Sequence, residues 1–275
     1  MKKIFLLVLF VTFYCHAFAS VPRRIITLSA ALTETADALG FNKNIIAADV
    51  TSIYPAYINK LPKVSNNRSV SAEALIAFAP DLVLAPEGAV SKEIQYQLKS
   101  AGISFVGIKQ EYSVKGALNF IRQTAAALQV PQKGELLAKQ MELKINTALA
   151  QVKMTGKAPK VLFIYARGTG TMMVAGKKSS LDAIINLAGG KNAVHEFNDF
   201  KPYTTEALVK ANPDVILMFD FGYNSLGGID SILKMPGVGQ TTAGKNKKIV
   251  QMEASLLVNF SVRLDQAITS LSSKL

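Results

Sequence analysis

Two glutamates occupy the same place in two near-copies of one phrase, SAEALIAFAPDLVLA over residues 71–85 and TTEALVKANPDVILM over residues 204–218. Both copies read Ser or Thr, any residue, Glu, Ala, Leu, four residues, Pro, Asp and an apolar run. Glu73 and Glu206 are 133 residues apart, and so are Asp81 and Asp214. A hydroxyl such as that of Ser71 is suited to cap a helix, and a carboxylate in the first turn is favoured by the helix dipole. Pro-Asp then ends the helix and an apolar strand begins. By itself Pro-Asp before a strand is common punctuation; a glutamate at the same offset in both copies asks for more.

Catalytic chemistry has little to work with. The histidines are His16 and His195 and the cysteine is Cys15. Residues 1–19, MKKIFLLVLFVTFYCHAFA, carry two lysines, a short apolar run and a small-x-small ending, the pattern of a secretory signal peptide cleaved after Ala19. Thr12-Phe13-Tyr14 lacks the small residues of a lipobox, so Cys15 is not expected to be lipidated. Export removes Cys15 and His16 and leaves His195 alone. One histidine builds neither a Ser/His/Asp triad nor a zinc site, so the chain is not expected to be an enzyme or a zinc or manganese binder. The formal net charge of +12 suits anionic ligands or an anionic surface, and an exported protein is not expected to bind nucleic acid.

The elements that must hold these residues alternate. RIITLSAALTETADALG (24–40) reads as strand, loop and helix stopped by Gly40, and IIAADV (45–50) as a strand followed by the polar loop TSIYPAYINKLPKVSNNR. After the first echo, SKEIQYQLKSAGISFVGI gives another helix, a stop at Gly102 and a strand. KGELLAKQMELKINTALAQVK (133–153) predicts one helix of about 30 Å, long enough to bridge two lobes. Alternation restarts with KVLFIYA as a strand, RGTGTMMVAGKKSS as a Gly-rich loop without dinucleotide spacing, and LDAIINLAGG as a helix. The expected fold is α/β: two Rossmann-like lobes with mostly parallel sheets, 20–130 and 158–275, joined by a long helix within 131–157.

The whole of residues 20–275 resembles the periplasmic substrate-binding proteins of ABC importers for iron complexes and cobalamin, whose lobes are joined by a rigid helix. The phrases TSIYP, RSVSAEAL, GGIDSILKMPGVGQTTAGKNKKIV and the Lys201-Pro202 pair resemble the hemin-binding branch most closely. The resemblance implies a periplasmic, monomeric protein that captures hemin between the lobes, holds no intrinsic cofactor, closes only modestly, and passes its cargo to a permease and its ATPase. A ferric siderophore or cobalamin is the alternative cargo. Glu73 and Glu206 match the glutamates that dock such proteins onto permease arginines.

Hemin is a flat apolar disc with two carboxylates and an iron that accepts an oxygen or nitrogen ligand. The hemin-binding branch places a tyrosine and an arginine in the phrase that here reads LPKVSNNR: Arg68 is present, but Asn66 stands at the tyrosine position. Tyr54 and Tyr203 are therefore the candidate axial donors, with His195, Met172 and Met173 as weaker alternatives better suited to turn or packing roles. Arg68 and Arg167 suit carboxylates or siderophore oxygens. Tyr54, Asn66, Arg68, Arg167 and Tyr203 make up the expected ligand set.

Overall fold

The computed structural model describes residues 21–66, 69–152, 157–166 and 172–275. In the first half, β1 (Ile25–Thr27), α1 (Ala30–Ala36), β2 (Ile45–Ala48), a small hairpin of β3 (Ser65–Asn66) and β4 (Ser69–Val70), α2 (Ala72–Ile76), β5 (Leu82–Pro86), α3 (Lys92–Ser100) and β6 (Ser104–Ile108) follow in order. The four longer strands form one parallel sheet in the order β2-β1-β5-β6. Their near-continuous Ile, Leu, Val and Ala runs suit a sheet covered on both faces. Accordingly, two apolar clusters sandwich it, one containing Ile25, Leu32, Leu84 and Phe120, the other Ile26, Leu75, Val83 and Leu98.

Two long helices follow, α4 (Val114–Ala127) and α5 (Pro131–Gln151). Proline at the first position starts α5 without losing a hydrogen bond, because that N–H would lack a helical partner anyway. Gly134 lets the helices close up: a Cβ there would lie 2.3 Å from the Cβ of Ala125. Arg122 and Glu135 pair across the contact at 2.7 Å. The bridge is shared by both helices. Phe120, Ala125 and Leu128 of the α4 region enter the first-half core, while Ala117, Leu118 and Ile121 enter the second-half core with Met141, Ile145 and Ala148 of α5.

The second half contains β7 (Lys160–Tyr165), β8 (Met173–Ala175), α6 (Ser180–Leu187), β9 (Lys191–Asn192), β10 (Phe200–Pro202), α7 (Thr205–Ala211), β11 (Val215–Phe219), α8 (Asp220–Ser225), α9 (Ile229–Leu233), α10 (Thr242–Lys245), β12 (Ile249–Met252), α11 (Ala254–Val258) and α12 (Leu264–Ser272). Its sheet runs β10-β8-β7-β11-β12, with β9 also on β7. Parallel pairing joins β7, β9, β11 and β12, so the mostly parallel expectation holds for the centre of the sheet. The departure is β8, where the sequence suggests loop throughout: Met173-Val174-Ala175 turns back antiparallel on β7 and carries β10. Three apolar residues are too short a run to show a strand period; pairing partners on both sides make them one.

Candidate ligand junction and paired carboxylates

The echoed phrases build the same device twice. Ser71 Oγ accepts from Ala74 N–H at 3.2 Å, and Thr204 Oγ1 accepts from Ala207 N–H at 3.2 Å. Leu75 and Leu208 then anchor α2 and α7 in the two cores. Glu73 and Glu206 stand exposed in the first turns, where their own backbone N–H groups and the capping hydroxyls hold both carboxyls below the ordinary range. The Pro-Asp pairs fasten sheets. Asp81 Oδ2 accepts from the N–H groups of Arg23 and Arg24 at 2.8 and 2.9 Å, and Asp214 Oδ2 accepts from Lys160 N–H at 2.8 Å. Each aspartate thus ties the start of β5 or β11 to the start of its parallel neighbour, β1 or β7. A hollow of about 440 Å³ beside Glu206 is lined by Thr205, Val209, Lys210 and Gln240.

Ligands of open α/β sheets bind beyond the carboxyl ends of parallel strands. At that edge of the second sheet the register sets Pro202, Met173 and Tyr165 in one row and Phe219 opposite Met252. The ring of Tyr165 lies 6.0 Å from Phe219 and 5.9 Å from Phe221, and these two phenylalanines are 5.4 Å apart. Phe221 is 36% exposed, so the row presents an aromatic surface. Segments beyond the first sheet meet segments beyond β12. Arg263 Nη2 donates to Glu34 Oε1 at 2.5 Å and to Glu253 Oε1 at 2.9 Å, and Arg263 Nε donates to Glu34 Oε2 at 2.9 Å. Asn259 Nδ2 donates to Glu34 Oε1 at 3.0 Å, and Gln110 Nε2 donates to the Asn259 carbonyl at 2.5 Å. Tyr112 rests edge-on against Phe260 at 5.4 Å.

This cluster is buried and charged. Burial opposes the charge on each member. It prevails at Glu34, whose carboxyl is raised above its ordinary 4.5, while at Glu253 hydrogen bonds from Arg263 and Ser255 prevail and lower it. At Arg263 burial is likewise outweighed by hydrogen bonds to Glu34 and Glu253, which push it above the usual guanidinium range.

Tyr54 belongs to this junction. The Arg263 guanidinium carbon lies 4.1 Å from the centroid of the Tyr54 ring, which is 44% exposed. Among the described residues the Tyr54 hydroxyl has no hydrogen-bond partner. Its loop is anchored to β1 by a relay of hydroxyls: Thr27 to Thr33 at 2.6 Å, Thr33 to Ser52 at 2.7 Å, and Ser52 to Asp49 at 2.5 Å. Lys63 Nζ closes the loop on the Ser52 carbonyl at 2.6 Å.

Tyr203 lies elsewhere. It directly follows β10, the strand at the opposite edge of the sheet from β12, and packs against Phe197 at 6.4 Å while its N–H donates to the Met172 carbonyl at 2.9 Å. Burial, with Glu196 as the lesser cause, pushes its phenol above the ordinary range. Met172 is half-buried in the same cluster, and Met173 is a strand residue of β8. His195 is exposed, its N–H donating to Glu196 Oε2 at 3.0 Å. Asn66 ends β3 and pairs with Ser69. Arg68 and Arg167 lie outside the described residues.

The structure therefore joins Tyr54 to residues that sequence reasoning missed: Glu34, Glu253, Asn259 and Arg263. Signals were present but weak. Glu34 interrupts a helix whose other residues are Ala, Leu and Thr, and Arg263 is an isolated cation in NFSVRL, the kind of charge that must find a partner if buried.

A family model described as "Periplasmic binding protein" matches residues 25–256. The chain is similar to the solved structure of the periplasmic heme-binding protein RhuT from Roseiflexus sp. RS-1 in apo form, with 35% identity and a TM-score of 0.87 over 92% of this chain and 97% of that one. It is equally similar to the periplasmic heme-binding protein BhuT in complex with two hemes, with 36% identity and a TM-score of 0.87 over 91% of this chain and 97% of that one. Among curated sequences, a vitamin B12-binding protein of Vibrio parahaemolyticus is 31% identical over 201 residues, 70% of this chain and 69% of that protein.

Proposed function

The chain belongs to the periplasmic binding protein family, and from that premise we propose that it captures hemin between its two lobes and delivers it to an ABC import permease and its ATPase. The observation that carries this reading is the likeness to two heme-binding proteins at 35% and 36% identity over more than nine-tenths of the chain. Local chemistry supports it. The Tyr165, Phe219 and Phe221 surface suits an apolar macrocycle, and Arg68 and Arg167 suit its propionates. Of the two candidate donors, Tyr54 has a hydroxyl without a hydrogen-bond partner among the described residues, whereas burial opposes the tyrosinate form of Tyr203. Asn66, in the neighbouring hairpin, belongs to the same proposed set. Glu73 and Glu206 serve as the permease contacts, one on each half. The lobes are taken as 20–130 and 158–275 with the connector between them, in a monomer freed of its leader in the periplasm. Among the described residues no helix is long and apolar enough to cross a membrane.

A second reading keeps the architecture and changes the cargo to cobalamin, favoured by the vitamin B12-binding relative. The test is a titration of the apo-protein with hemin followed at the Soret band, with cobalamin and a ferric siderophore as comparators. A saturable Soret shift supports hemin; no shift, with saturable cobalamin binding, replaces it.

A further inference from the structure

A tyrosine on an exposed loop is a poor metal donor unless something fixes its ring, because each free rotamer lowers the share of molecules ready to coordinate. Tyr54 is fixed from two directions. Behind it, the hydroxyl relay Thr27–Thr33–Ser52–Asp49 ties the loop to β1. In front, the Arg263 guanidinium stacks on the ring at 4.1 Å. That guanidinium is itself held on the other side: its side chain is 8% exposed, and it donates to Glu34, Glu253 and Ser255.

We propose that Arg263 is the positioning residue of the cargo site, holding the Tyr54 ring so that its hydroxyl meets the iron of bound hemin. Glu34 and Glu253 orient Arg263 from the two halves of the molecule, so the placement of Tyr54 depends on the junction being closed by both lobes. A guanidinium suits the task because it is planar, permanently charged, and able to fork onto carboxylates while its face covers a ring. The inference rests on the hemin reading and adds to it a residue that touches the donor and not the cargo.

Removing the Arg263 charge outright would strand Glu34 in the interior and threaten folding. The decisive variant is therefore Arg263→Lys, which keeps a cation between the glutamates but cannot lie flat on the ring. Hemin is added to the unsubstituted protein, Tyr54→Phe, Arg263→Lys and the double variant, and affinity is read at the Soret band while the tyrosinate-to-iron charge-transfer band reports the donor. Thermal melting of each apo-protein monitors the fold. We expect Tyr54→Phe to lose the charge-transfer band. Arg263→Lys should bind hemin about 10-fold or more weakly with a diminished band, as for removal of other groups that orient a metal ligand. The double variant should bind no more weakly than Tyr54→Phe, the non-additivity expected of residues acting as a unit. Glu253→Gln, which loosens Arg263 from one side, should change the band in the same sense.

A band of full strength in Arg263→Lys overturns the proposal, whether or not its melting temperature falls, and leaves the hemin reading standing. Retention of the band in Tyr54→Phe overturns it by removing its donor. Absence of any Soret shift in the unsubstituted protein overturns the hemin reading and this inference together.

Discussion

Arg263 Nη2 donates to Glu34 Oε1 at 2.5 Å although the two residues are 229 positions apart in the chain. Their side chains are 8% and 1% exposed, so the first and last segments of the fold meet through a buried ion pair. Removing one partner of such a pair leaves an uncompensated charge, at a cost of about 3–5 kcal/mol. Glu34→Ala should lower stability in urea denaturation by the lower part of that range, because Arg263 keeps Glu253 at 2.9 Å. Replacing Glu34 and Arg263 together by apolar residues of similar volume should recover most of the loss.

Acid should act on the cluster with two signs. Glu253 is held below its ordinary 4.5, so its contribution is fully present above that pH and is lost as pH falls through the lower folded value. Glu34 is raised above 4.5, so the folded protein takes up that proton first, and raising pH through its folded value works against stability. Denaturation at a series of pH values should show that Glu253→Gln flattens the acid-side decline. Glu34→Gln should remove a decline on the other side of 4.5. Equal pH profiles for both variants would contradict the two directions.

Glu73 and Glu206 are exposed first-turn residues, so reversing their charges should cost a little helix stability and leave the fold and the cargo affinity intact. Their proposed work is at the permease, where paired carboxylates set orientation more than affinity. Glu73→Lys and Glu206→Lys should each abolish uptake by cells or proteoliposomes carrying the permease. A loss of cargo affinity in either variant would count against docking.

The aspartates of the repeat predict the reverse pattern. Asp81→Ala releases the N–H groups of Arg23 and Arg24, and Asp214→Ala releases that of Lys160. Each substitution should cost about 1.5–3 kcal/mol, the usual range for hydrogen bonds to a charged group. Thermal melting should register both losses while the docking behaviour of correctly folded protein is retained.

Much of this was legible because it is local. The capped helix, the Pro-Asp break and the apolar strand can be read from fifteen residues, and both copies fold as that reading requires. Gly102 follows α3 where the periodicity stops, with φ of 75°, whereas α1 ends at Ala36 and Gly40, with φ of 91°, kinks the turn Asp37–Phe41 that continues it. Strand β8 was hidden because Met173-Val174-Ala175 has no periodicity of its own and becomes a strand through β7 and β10. The Glu34–Arg263–Tyr54 cluster was hidden for a different reason: its members come from opposite ends of the chain, and only tertiary packing reveals that the lone charges answer each other. The tyrosines Tyr54 and Tyr203 look equivalent in sequence as aromatic residues beside proline; one is stacked on a guanidinium and the other is packed against Phe197 and Met172.

Equilibrium dialysis of the purified protein against hemin and cobalamin, each alone and then together at equal concentration, tests the cargo assignment most directly. The account predicts that hemin is retained, saturates, and is not displaced by cobalamin. Retention of cobalamin with no retention of hemin would contradict it.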